Sequence, residues 1–119
     1  MEKEEVKKIL VDEILELNLK SIEKALSKQE LFLESTTASL ELIWKKLGKV
    51  EDFFTGKNAE TIEETKVLCT YIMSKIKDES NQNICECCND ARLRAPQIKL
   101  VEEKTTIIKR NVEKIVSDI

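Results

Sequence analysis

Residues 15–54, LELNLKSIEKALSKQELFLESTTASLELIWKKLGKVEDFF, decide the fold. Alternating steps of four and three from Leu15 land on Leu19, Ile22, Leu26, Gln29, Leu33, Thr36, Leu40, Ile43, Leu47, Val50 and Phe54. Ten of these twelve positions are apolar, where a 41% hydrophobic chain would place about five by chance. Such spacing marks the a/d positions of a helix that buries a narrow seam. Ile14, Ala25, Phe32, Leu42 and Trp44 lie beside the seam and widen the stripe toward what a bundle requires.

Moving toward the N-terminus, Val6, Ile9, Leu10, Val11 and Ile14 keep a helical period in a looser register. No proline interrupts residues 1–55, and Gly48 is the one weak interior position. Gly56, followed by Lys57-Asn58, is expected to close the helix as its C′ glycine. The reading is a helix over about 2–55, roughly 80 Å long if unbroken. Hydroxyl and β-branched residues at Glu34-Ser35-Thr36-Thr37 mark the alternative break.

Toward the C-terminus, Thr61-Ile62-Glu63-Glu64 matches a capping box, and a helix over about 59–79 is expected with Ile62, Thr65, Cys69, Ile72 and Ile76 as its seam. Asp78 to Asn83 is polar throughout, so residues 80–95 are expected to be a short helical or loop stretch. A last helix over about 97–118 carries Ile98, Val101, Thr105, Ile108, Val112, Ile115 and Ile119, with Pro96 at its first position or at a kink. The expected fold is therefore all-α and a single domain over 1–119. It is an elongated antiparallel helical hairpin or coiled-coil bundle, with a compact three- or four-helix bundle as the alternative. The acids Glu2, Glu4, Glu5, Asp12, Glu13 and Glu16 and the bases Arg92, Arg94, Lys99, Lys104, Lys109, Arg110 and Lys114 favour ends that run antiparallel.

Composition removes several function classes. With 2 glycines and no histidine among 119 residues, phosphate loops, dinucleotide fingerprints, histidine acid–base chemistry and histidine metal sites are excluded. Glu63-Glu64 and Glu102-Glu103 are adjacent on helices, so their side chains diverge as solvated acids, and no enzyme is expected. A formal net charge of −3 with no basic stripe argues against nucleic acid, and no small-molecule substrate or cofactor is implied. No run of 18 apolar residues spans a membrane, and Met1-Glu2-Lys3-Glu4-Glu5 is too polar for a targeting peptide. A cytoplasmic or nuclear location is the expectation, with cysteines as thiols.

Cys69, Cys85, Cys87 and Cys88 are the only cluster with site chemistry. Four thiolates satisfy zinc or Cu(I) in number, but the spacing lacks two separated C-x₂-C knuckles. Cys69 and Cys87 also fall on the seams, where cysteine serves as a small apolar filler. A metal-binding or redox module built on these four residues is the alternative function.

The leading expectation is a helical scaffold or adaptor subunit of a larger complex. Its partner-binding seam would be Leu15, Leu19, Ile22, Leu26, Gln29, Leu33, Leu40, Ile43, Trp44, Leu47, Ile108, Val112 and Ile115, meeting helical proteins or a second copy. Ile9, Leu17, Leu31, Phe32, Leu42, Trp44, Leu68, Tyr71 and Leu100 cannot share one a/d line, so further helices or another chain must cover them. Gln29, Thr36, Thr65 and Thr105 are polar seam positions of the kind that select register.

In its general make-up the chain is similar to small coiled-coil subunits of tethering, kinetochore and lysosome-biogenesis assemblies. Asp90-Ala91-Arg92-Leu93-Arg94 resembles the opening of the third helix in BAG-type chaperone cofactors, although Pro96 stands where that helix would run on. That resemblance implies a helical-bundle chaperone cofactor as a weaker alternative.

Overall fold

The computed structural model describes residues 2–28, 32–82 and 91–119, without the side chains of residues 28, 32, 77–82 and 91–96. Helix α1 (Lys3–Lys8) runs directly into a π-helical segment (Ile9–Leu19) and then α2 (Lys20–Lys28), making one arm. Helices α3 (Phe32–Val50), α4 (Gly56–Gln82) and α5 (Ala91–Asp118) follow, with a 3₁₀ turn at Glu51–Phe53. Among the described residues there is no strand.

Each arm packs on the next in sequence, and α5 closes back on the first arm through the π segment and α2. The result is a four-helix bundle of up-down-up-down connectivity, measuring 49 × 22 × 19 Å. The long dimension is set by α5, whose 28 residues span about 42 Å at 1.5 Å per residue.

The heptad pattern finds its physical reason in the core. Leu40, Ile43, Leu47 and Val50 of α3 are fully buried, as are Ile62, Cys69 and Ile72 of α4 and Val101, Ile108, Val112 and Ile115 of α5. Every one is a seam position read from spacing, and each large side chain contributes about 1.5–3 kcal/mol by leaving water.

The single helix expected over 2–55 is instead two antiparallel arms, with α2 ending at Lys28 and α3 starting at Phe32. Seam spacing is preserved between them because a period of three and a half describes either one long helix or two that fold together. The expected break at Glu34–Thr37 is the opening of α3.

Helix ends also shift. Helix α3 stops at Val50, and the chain extends through Phe54 (φ −101°, ψ 151°) before α4. Gly56, expected to close the earlier helix, takes φ +62° at the entry to α4, a left-handed turn that glycine makes without a Cβ clash. Thr61 is no cap but an interior residue whose hydroxyl donates to the Lys57 carbonyl at 3.0 Å. The polar stretch from Asp78 stays helical to Gln82, since each backbone amide still reaches its i−4 carbonyl whatever the side-chain polarity. Helix α5 begins at Ala91, so Pro96 lies within it.

The first arm departs most from the heptad reading. Its buried residues are Val6, Leu10, Ile14, Asn18 and Leu19, followed by Ile22 and Ala25. Leu15 and Leu26 are only half-buried, and Leu17 is exposed. Steps of four followed by five suit i→i+5 turns, which fit more residues into each turn than an α-helix does. The Asn18 amide donates to the Glu13 carbonyl, five residues back, at 2.6 Å. The expected seam of Leu15 and Leu19 thus gives way here to Ile14 and Leu19.

Candidate protein-interaction surface

With the core closed by its own helices, the positions of interest are the large apolar side chains left outside. Among the described residues these are Leu17 (61% exposed), Leu42 (43%), Trp44 (43%), Phe53 (40%), Val67 (57%) and Tyr71 (41%). Trp44 follows the buried Ile43 by one residue, so the helical turn of about 100° carries it to the α4 edge of α3. Val67 and Tyr71 stand one turn apart on the outer side of α4.

Together with Glu63, Lys66, Thr70 and Ser74, these three side chains line an open groove of about 460 Å³. Two rows four residues apart shape it. One row is Glu63, Val67 and Tyr71, and the other is Lys66, Thr70 and Ser74, whose last two side chains are short. Large side chains beside short ones form the ridge and groove on which another helix packs.

Lysines frame the rings. The Lys66 ammonium lies 5.1 Å from the Trp44 ring centre and pairs with a Glu51 carboxylate oxygen at 2.9 Å. Lys75 and Lys104 approach the Tyr71 ring at 5.7 and 5.6 Å, Lys104 reaching across from α5. Cations within about 6 Å of a ring face are attracted by its quadrupole.

The expected binding seam lies elsewhere. Leu19, Ile22, Leu40, Ile43, Leu47, Ile108, Val112 and Ile115 are enclosed by this chain's own helices, Leu15, Leu26 and Leu33 are half-buried, and Gln29 lies outside the described residues. Among the described residues of that set, Trp44 alone is exposed. Of the off-line apolar residues, Ile9, Leu68 and Leu100 are half-buried, Leu17, Leu42 and Tyr71 are exposed, and Leu31 and the Phe32 side chain lie outside the described residues. Spacing gave no sign of Val67, Lys66, Lys75 or Lys104, because an isolated helix does not show which residues a neighbouring helix brings to the same groove.

The polar seam residues resolve individually. The Thr65 and Thr105 hydroxyls donate to the Thr61 and Val101 carbonyls at 2.7 and 2.6 Å, the local bond open to threonine within a helix. Asn111 of α5 donates to the Thr65 hydroxyl at 3.1 Å and ties α5 to α4. Cys69 is buried as a free thiol, and desolvation pushes its pKa up to about 12. Cys85, Cys87 and Cys88 lie outside the described residues.

A second cleft, of about 480 Å³, opens between α2 and α5 over Leu19, Leu26 and Ile98, with Glu23 and Lys109 at its rim. Among the described residues no helix is long and apolar enough to cross a membrane. Compared with protein families, curated proteins and solved structures, the chain matches none.

Proposed function

We propose that this chain is a non-catalytic helical scaffold or adaptor of the cytoplasm or nucleus, acting by association with helical proteins in a larger complex. One observation carries the reading. A bundle that has buried its own heptad seams still places Trp44, Val67 and Tyr71 together in an outward groove. Aromatic residues in such a setting are enriched among the side chains that dominate binding energy. The open, shallow form of the groove suits a protein surface better than a small substrate, which favours an enclosed pocket.

The test is affinity purification of the full chain beside a Trp44→Ala/Tyr71→Ala variant, with circular dichroism to verify helicity. The expected result is a stoichiometric companion that the variant loses while its helix content stays unchanged. A chain that copurifies with nothing stoichiometric, or a variant that keeps every companion, removes the reading.

A further inference from the structure

We infer that the groove along α4 receives an amphipathic helix from another protein, running antiparallel to α4 with acidic residues in its first turn. This rests on the association reading and specifies its partner. The groove extends from Glu63 to Ser74, about 16 Å of helix axis at 1.5 Å per residue, or three turns of an incoming helix. Thr70 and Ser74 provide the low floor, Val67 and Tyr71 the ridge, and Trp44 the wall on the α3 side. Apolar side chains three and four residues apart on the incoming helix fit that relief.

Charge along the groove sets direction. The end nearest the start of α4 carries Glu63 in the lining, and Lys66 there is already paired with Glu51. At the opposite end two ammoniums, from Lys75 and Lys104, converge on the single ring of Tyr71. Like charges gathered on one ring favour a counter-anion beside them. A helix antiparallel to α4 brings its N-terminal turn to this end, where its own dipole also favours Asp and Glu. Both demands are met by one sequence feature, an acidic first turn followed by an apolar stripe.

Trp44 is the only tryptophan, so its emission reports occupancy directly. The probes are two synthetic capped peptides of about 15 residues, near the length at which an isolated helix begins to hold. One has leucines at helical spacing, glutamates in its first turn and lysines in its last. The other has the same composition with the charged ends exchanged. The expected result is a blue shift of Trp44 emission with the acidic-first peptide and binding at least about tenfold weaker for its counterpart, a difference of about 1.4 kcal/mol. A Lys75→Glu/Lys104→Glu chain should reverse that order of preference. Equal binding of the two peptides, no binding of either at millimolar concentration, or an unchanged order in the reversed chain overturns the proposal. So does self-association of the chain alone that Trp44→Ala abolishes, since the groove would then hold a second copy. These failures differ from failure of the association reading, which is decided by whether Trp44→Ala/Tyr71→Ala strips the copurifying protein.

Discussion

Thr36 stands out at the level of single residues. It is fully buried, and among the described residues its hydroxyl has no hydrogen-bond partner. Thr65 and Thr105 use the carbonyl four residues back, whereas at Thr36 that carbonyl belongs to Phe32, the first residue of α3, and the bond is not made. An unsatisfied buried hydroxyl costs about 1–3 kcal/mol, so Thr36→Val is expected to stabilise the chain by about 1 kcal/mol in urea denaturation. Cys69 makes a second prediction. Its thiol ionises near 9 in the unfolded chain, and burial pushes this up to about 12 when folded. The folded state therefore keeps a proton that the unfolded state releases, and stability declines as pH rises through that window. Near pH 10 the wild type should have lost about 1.4 kcal/mol more than Cys69→Ala, relative to pH 7. Parallel pH-dependent unfolding curves for the two chains would contradict this.

At the scale of elements, the π segment is the informative departure. Leu10 and Ile14 lead one apolar stripe, while Leu19, Ile22 and Leu26 belong to another displaced from it by one residue. The i→i+5 turns of Ile9–Leu19 absorb that residue and leave Leu17 in solvent. Removing Leu17 should therefore return the arm to a plain α-helix in which Val11, Ile14, Leu19, Ile22 and Leu26 follow steps of three and four. A chain lacking Leu17 is expected to fold with stability within about 1 kcal/mol of wild type. Deleting the exposed Ala38 from α3 instead rotates every later position of that helix by about 100°, turning Leu40 and Ile43 out of the core. That deletion should cost several kcal/mol, well above the usual range of about 0.5–3 for a single change. Chemical denaturation of the two deletions checks the contrast, and similar losses would argue against the register account.

For the whole molecule, the apolar core outweighs ion pairing. The cross-helix pairs Lys46–Glu13 at 3.1 Å and Lys66–Glu51 at 2.9 Å are partly exposed, and Lys109–Glu23, at 4.0 Å, is more so. Pairs of this kind contribute about 0–1 kcal/mol each and weaken in salt. Ile43→Ala is expected to cost about 2–5 kcal/mol by opening a cavity among the four helices. Leu42→Ala, one residue away and exposed, should change stability by no more than about 0.5 kcal/mol. If the two substitutions cost the same, the assigned bundle interior is wrong. Raising salt to about 1 M should shift the unfolding midpoint less than Ile43→Ala does.

The chain by itself determined the helices and their buried lines. Leu40-Ile43-Leu47-Val50, Ile62-Thr65-Cys69-Ile72 and Ile108-Val112-Ile115 were readable because an α-helix converts sequence spacing into one face with no other information. Only the tertiary structure decided that the first half folds back on itself, since a three-and-a-half residue period is the same for a continuous rod and for two arms packed together. It alone decided the register of the first arm, where packing of Ile14 and Leu10 against the other helices outweighed the local preference for i→i+4 bonds. The groove belongs to that second group as well. Trp44, Val67 and Tyr71 come from two helices, and Lys104, from a third, lies 33 residues beyond Tyr71 in the sequence. Their meeting depends on how whole helices pack side by side, which no local spacing records.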